Sequence, residues 1–156
     1  MLRTALAALA LALAVTACAP KRLPGTEILD TRDNRAVIDV VMRYREALER
    51  RDAPAVLALV APRYFDDGGT PDPADDLDRA RLEEALPGTL EKLEGAKVEF
   101  TLRRVDVKGD EATAEVLWDT WYRVTTPGGA VARRDSDLQR LRLARVEGAW
   151  KLAGGL

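Results

Sequence analysis

The sequence predicts a single α+β domain in which helices come first and antiparallel strands follow. Apolar residues recur at helical spacing from residue 37 onward, and the pattern changes to alternation beyond Gly95. Short turns that contain glycine separate the alternating runs. Helices followed by a meander of strands are typical of a domain whose helices pack on one sheet face. We place this domain at residues 33–156.

The first predicted helix is amphipathic and runs for about four to five turns. Its N-cap is expected at Asp33 or Asn34. Its apolar stripe has spacings of four, three and four residues and consists of Val37, Val41, Tyr44 and Leu48. A second, shorter helix is expected after the cap Asp52 and ends before Pro62.

An acidic loop at residues 66–76 separates the second helix from a third. Its aspartates are Asp66, Asp67, Asp72, Asp75 and Asp76. Carboxylates bind Ca²⁺, but their spacing here differs from that of a calcium-binding EF-hand loop. The last two aspartates are placed to cap a helix over residues 77–86, which Pro87 closes. We therefore predict a helix cap rather than a metal site.

Four strands complete the predicted domain. They cover residues 98–107, 112–124, 131–146 and 150–152. A change of parity in the first strand predicts a bulge near residues 103–104. Glycine at position 109 predicts a hairpin turn over residues 108–110.

Composition narrows the chemistry that the chain can support. Its 24 basic and 26 acidic residues give a formal net charge of -2, which does not fit a nucleic-acid-binding protein. The chain has no histidine and one cysteine, Cys18. These counts exclude histidine-dependent catalytic triads, ordinary zinc sites and structural disulfides. We expect no cofactor and no metal.

The N-terminus has the organisation of a secretory signal. Arg3 precedes an apolar run over residues 5–15, which is too short to span a membrane, and small residues follow. The tetrapeptide at residues 15–18, Val-Thr-Ala-Cys, resembles the lipobox of bacterial lipoproteins. This resemblance implies a signal peptide at residues 1–17, cleavage after Ala17, and acylation of Cys18, for example with palmitate.

An anchored envelope protein follows from the lipobox resemblance. Lipid on Cys18 would hold the chain on a bilayer, and residues 18–32, with two prolines and a glycine, would form the lipidated cysteine and a flexible tether. Ala19 is not the aspartate that retains many lipoproteins at the inner membrane, so in a Gram-negative host the outer membrane is favoured. The alternative is an ordinary secretory signal that ends by chance in a cysteine.

The domain resembles the NTF2-like, or SnoaL-like, superfamily. The segments that carry the resemblance are AVIDVVMRYREALERRD, DAPAVLALVAP, RYF, EATAEVLWDTWYRV and LARVEGAWKLAGGL. It implies a strongly bent sheet that wraps the first helix around a conical pocket. The candidate pocket lining is Tyr44, Tyr64, Phe65, Trp118 and Tyr122. That these aromatic residues are simply core remains an equal alternative.

Enzymes of this superfamily use a pocket aspartate or a His-Asp pair. The strands offer Asp119, Asp135 and Asp137. Asp119 has the opposite parity to Trp118, so it is expected to point away from a pocket. Asp135 and Asp137 are expected on a face turned to solvent or to another subunit. No catalytic residue is assigned from the sequence.

Three hypotheses follow. The first is a non-catalytic, lipid-tethered domain that binds a small apolar ligand or a protein partner at the cell envelope. The second is an isomerase- or cyclase-type enzyme with a pocket carboxylate and Tyr44 or Tyr122 as hydrogen-bond donor. The third is a module that forms homodimers through its sheet, which exposure of Leu117, Trp121 and Leu141 together would favour.

The lipobox resemblance gives a direct prediction. Labelled palmitate will be incorporated into the wild-type chain expressed in a bacterial host and not into Cys18→Ser, because the thiol is the acceptor. Fluorography of the immunoprecipitated protein measures the label. Label retained by Cys18→Ser would contradict the assignment.

Overall fold

The structure is a computed structural model that describes residues 20–156, apart from the side chains of residues 93–95. The predicted signal peptide at residues 1–17, the cleavage after Ala17 and the lipidation of Cys18 lie outside the described residues. Within the described part of the chain, no helix is long and apolar enough to cross a membrane.

The described helices and strands follow the predicted order, with helices ahead of the main sheet. The helices are α1 (Arg32–Glu49), α2 (Ala53–Leu59) and α3 (Arg79–Glu91). The strands are β1 (Phe65–Asp66), β2 (Leu77–Asp78), β3 (Leu93–Lys108), β4 (Glu111–Thr126), β5 (Gly129–Val146) and β6 (Ala149–Gly154). Strands β1 and β2 form a small antiparallel pair, and the others form one antiparallel sheet in the order β3-β4-β5-β6. The predicted α+β class is confirmed.

Helix α1 begins earlier than predicted. Its N-cap is Thr31, whose hydroxyl accepts a hydrogen bond from the backbone N–H of Asn34 at 3.0 Å. Asn34 is buried and donates from Nδ2 to the carbonyl of Leu29 at 2.8 Å. Asp33 forms an ion pair with Arg145 at 2.8 Å. Both predicted caps are therefore engaged with other segments of the chain.

Helix α3 begins two residues later than predicted and continues past Pro87. Its N-cap is Asp78, rather than Asp75 or Asp76, because the two residues expected to open the helix pair with β1 instead. Proline removes a backbone donor from a helix interior. The helix nevertheless extends to Glu91, and its last turn buries Leu90.

Three local sequence signals are confirmed. Asp52 caps α2 by accepting a hydrogen bond from the backbone N–H of Ala55 at 3.0 Å. Gly109 adopts a φ of 62° in the β3–β4 turn, a conformation that favours glycine. The β3–β4 register shifts between Leu102 and Arg104, where the bulge was predicted. A bulge bends its strand, so this feature contributes curvature to the sheet.

Residues 20–31, most of the predicted flexible tether, form a short hairpin against the domain. Arg22 and Leu29 make an isolated antiparallel bridge. Ile28 is buried in the main core, with 4% of its surface exposed. The folded unit therefore includes this hairpin, which lies before the predicted start at residue 33. Local hydrogen bonds, such as that from the backbone N–H of Leu23 to the carbonyl of Ile28, form the hairpin, and burial of Ile28 attaches it to the domain, whereas proline and glycine content alone indicated a tether.

The main core lies between α1 and one face of the large sheet. Its fully buried side chains include Val37, Val40, Val41, Val116, Leu141, Leu143 and Leu152. A second cluster, near α3, contains Val60, Tyr64 and Leu82. These contacts attach the helices to the sheet over the first half of β4.

Strands β4 and β5 continue beyond this core. Residues 112–118 alternate between buried and partly buried positions, whereas residues 129–138 are exposed on both faces. Trp118 stands at the boundary between the covered and uncovered parts of the sheet.

The N-terminal hairpin at residues 20–31 gives a prediction about acid stability. Arg35 donates to Asp30 at 2.5 and 3.0 Å, and Lys21 lies 3.2 Å from the same carboxylate. The hydrogen bond from Arg35 is the largest cause that lowers the pKa of Asp30 from 3.8 to about 2, against the opposing effect of burial. Because the pKa of Asp30 is lower in the folded state, its ionised carboxylate stabilises the fold at pH values above the unfolded-state pKa. This contribution is lost as pH falls from about 4 to about 2.

Asp30→Asn is therefore expected to lower the free energy of unfolding at pH 7. The variant should also show a smaller decrease in this free energy between about pH 4 and about pH 2 than the wild type. Urea unfolding across that range measures both effects. Asp39→Asn is the matched control, because Asp39 pairs only with Arg43 on the exposed face of α1. An unchanged acid profile in Asp30→Asn would contradict the assignment.

Candidate functional site

An aromatic cluster closes the core at the end of α1. The rings of Tyr44 and Trp118 meet edge to face, with centroids 5.7 Å apart and an angle of 84°. Phe100 on β3 lies 5.6 Å from Trp118. Tyr44 and Trp118 are each only 7% exposed. Burial raises the pKa of Tyr44, so its hydroxyl stays protonated and can act only as a neutral group.

Phe100 was not among the predicted lining residues. Its position on the same strand face as Val98 and Leu102 was visible in the sequence. The missing information was the register, which pairs Phe100 directly with Trp118 across the β3–β4 ladder.

Two adjoining cavities lie beyond the aromatic cluster, and we call them together the Trp118 site. The first, about 200 Å³, is lined by Leu48, Ala96, Val98, Trp118, Thr120, Asp137 and Gln139. The second, about 160 Å³, is lined by Trp118, Thr120, Tyr122, Asp135 and Asp137. The wall formed by α1 and β3 is apolar, and the wall formed by β5 is polar. The indole Nε1 of Trp118 is buried and has no hydrogen-bond partner among the described residues.

The register places the strand carboxylates differently from the sequence prediction. Asp137 lies directly opposite Trp118, and Asp135 lies opposite Thr120. Residues opposite each other in an antiparallel ladder share one face. Asp135 and Asp137 therefore lie on the helix-facing side, at the edge of the Trp118 site, although both are exposed. Asp119 is on the outer face, as predicted, and accepts a hydrogen bond from Arg134 at 3.4 Å.

Tyr64 and Phe65 occupy different surroundings from Tyr44 and Trp118. Tyr64 is 2% exposed in the second cluster, and its hydroxyl contacts a carboxylate oxygen of Asp66 at 3.5 Å. Burial is the main cause that raises the pKa of Tyr64 to about 12. Phe65 is 46% exposed on β1. Of the five predicted lining residues, the Trp118 site therefore includes Trp118 and Tyr122, with Tyr44 behind them in the aromatic cluster.

A larger groove, about 820 Å³, lies between the N-terminal hairpin and the β3 bulge. No aromatic side chain lines it. Its charged groups are largely compensated within the domain, since Arg104 pairs with Asp106 and Asp33 pairs with Arg145. We therefore take the smaller, aromatic Trp118 site as the candidate functional site.

The acidic loop has a local structural role. Backbone N–H groups donate to the carboxylates of Asp66, Asp67 and Asp72 over short sequence distances. The Thr70 hydroxyl donates to Asp75 at 2.8 Å. Across residues 20–156, no group of three or more acidic, histidine or cysteine side chains is arranged to hold a metal ion.

Comparison with known proteins identifies the fold. Neither a protein-family profile nor a curated protein matches the sequence. A ketosteroid isomerase-like protein from Erwinia carotovora atroseptica has a TM-score of 0.66 at 18% identity, over 80% of this chain and 93% of that one. A candidate dehydratase of the NTF2-like family from Streptomyces avermitilis has a TM-score of 0.62 at 18% identity, over 78% and 92%.

A third similar structure is a candidate scytalone dehydratase from Novosphingobium aromaticivorans. Its TM-score is 0.66 at 17% identity, over 78% of this chain and 80% of that one. At such identities the likeness concerns the fold, and a shared fold does not establish a shared activity. The chain therefore has the NTF2-like fold, with helices packed on an antiparallel sheet, as the sequence resemblance implied.

Proposed function

We propose that this chain is a lipid-anchored protein of the cell envelope whose NTF2-like domain binds a small, mainly apolar molecule at the Trp118 site without transforming it. Acylated Cys18 supplies the anchor to the bilayer, on the outer membrane if the host is Gram-negative. The site gives less support to a protein partner than to a small ligand at this end of the domain, because the two cavities are small.

The observation that carries the ligand proposal is the position of Trp118. This residue is 7% exposed, lines both cavities and keeps an indole N–H without a partner. A buried donor without an acceptor is costly in a folded protein. A ligand with an apolar ring would cover the part of the indole that lines the cavities, whereas the enclosed Nε1 would donate to a ligand acceptor atom only after the surrounding side chains shift.

An isomerase- or cyclase-type enzyme is the second candidate. Asp137 opposite Trp118 is the observation that favours it, together with the isomerase-like and dehydratase names of similar structures. Catalytic sites usually exclude water around the reacting group, which strengthens the electrostatic interactions there. Asp135 and Asp137 are exposed, and the chain has no histidine. We therefore keep binding without catalysis as the first proposal, although the similar structures are equally consistent with an enzyme.

Homodimerisation through the outer sheet face receives less support. Leu141, one of the three residues whose joint exposure would have favoured it, is fully buried. Leu117 pairs with the exposed Leu138 on the outer face. Trp121 lies beneath two cations, with Lys97 at 5.5 Å and Arg134 at 5.0 Å from its ring. The apolar strip on this face is thus narrow and bordered by charge.

The proposal is tested with tyrosol, a neutral phenol with a short alcohol chain. The chain from residue 18 onward, carrying Cys18→Ser, is titrated while the indole N–H signals of the three tryptophans are followed by ¹H–¹⁵N NMR. Tyrosol is expected to shift the Trp118 signal saturably and to leave that of Trp121, on the opposite face, unchanged. If neither tyrosol nor a charged analogue with the same phenolic body gives a saturable shift at Trp118 up to the solubility limit, ligand binding at this site is contradicted.

A further inference from the structure

The Trp118 site carries two carboxylates, Asp135 and Asp137, that no ion pair among residues 20–156 neutralises. Within the described residues, neither Asp135 nor Asp137 takes part in an ion pair or a side-chain hydrogen bond. Arg133 shares their strand face, and no ion pair joins it to Asp135. Asp119, only one residue beyond Trp118 in β4, is by contrast bonded to Arg134. Negative charge is therefore uncompensated on the face of the sheet that lines the cavities.

The second feature of the site is independent of these carboxylates. Trp118 is more than nine-tenths buried, lines both cavities and has an unpartnered Nε1 donor. Its ring and that of Tyr122 also offer the electron-rich faces that attract organic cations. The site thus combines an aromatic surface, one buried donor and two carboxylates that are free to pair with a positive charge.

We propose that the Trp118 site binds a small organic cation, an ammonium group carried on an aromatic or apolar body. Asp135 and Asp137 face the ammonium group, and the rings of Trp118 and Tyr122 contact the aromatic or apolar body. This inference rests on the proposed function and adds the charge class of its ligand. The cavities, about 200 and 160 Å³, fit one ring with a short chain and not a polycyclic molecule.

Three probes with the same phenolic body separate charge from shape. Tyramine carries an ammonium head, tyrosol a neutral alcohol and 4-hydroxyphenylacetate a carboxylate. Each is titrated into the chain from residue 18 onward with Cys18→Ser, and the dissociation constant is read from the Trp118 indole signal. Tyramine is expected to bind about tenfold more tightly than tyrosol, through exposed ion pairs and cation–π contact. The carboxylate is expected to bind more weakly than tyrosol.

The double variant Asp135→Asn/Asp137→Asn tests the source of this preference. It is expected to abolish the tyramine preference, so that the ratio of the tyrosol to the tyramine dissociation constant falls from about ten to about one, because the isosteric amides carry no charge. Asp119→Asn is the matched control and should retain the tyramine preference. Added salt should weaken tyramine binding and spare tyrosol binding.

The outcomes separate this inference from the proposed function. If tyrosol and tyramine bind at Trp118 with equal affinity, or if the double variant keeps the preference, the cation inference is overturned and ligand binding stands. If tyramine shifts the signal of Trp121 or Trp150 and not that of Trp118, the cation inference is also overturned. If no probe shifts that signal, both proposals fail.

Discussion

The packing of α1 against one face of the large sheet is the interaction on which the rest of the structure depends. Val37 and Val41 on the helix meet Val116 and Leu141 on the strands, and all four are fully buried. Complete burial of one such side chain contributes about 1.5–3 kcal/mol. The N-terminal hairpin extends the same core through Ile28, so its position depends on this packing as well.

The candidate site follows from a difference in length between the helix and the strands. Helix α1 ends at Glu49, whereas β4 and β5 continue into a hairpin that the helices do not cover. The aromatic cluster seals the core at the end of α1, and the next residues on the same sheet face line open cavities. Trp118 therefore has one side in the core and one side at the site.

Local sequence signals predicted the elements that depend on near neighbours. Asp52 caps α2 through a bond three residues away, and Gly109 allows the tight β3–β4 turn. Long-range features escaped prediction. The parity of Asp135 and Asp137 was visible, but only the β4–β5 register shows that they stand beside Trp118. The hairpin at residues 20–31 escaped prediction for a different reason, because its hydrogen bonds are local but the proline and glycine content of the segment indicated a tether.

Trp118 holds α1 to the sheet through its contact with Tyr44, whereas Trp121, three residues later on the opposite face, does not. Urea unfolding of Trp118→Ala and Trp121→Ala tests it directly. Loss of the Trp118 ring is expected to cost about 3–5 kcal/mol, as for large buried aromatic residues. Loss of Trp121 removes two surface cation–π contacts and should cost about 1 kcal/mol. Equal losses, or a larger loss for Trp121→Ala, would contradict the account.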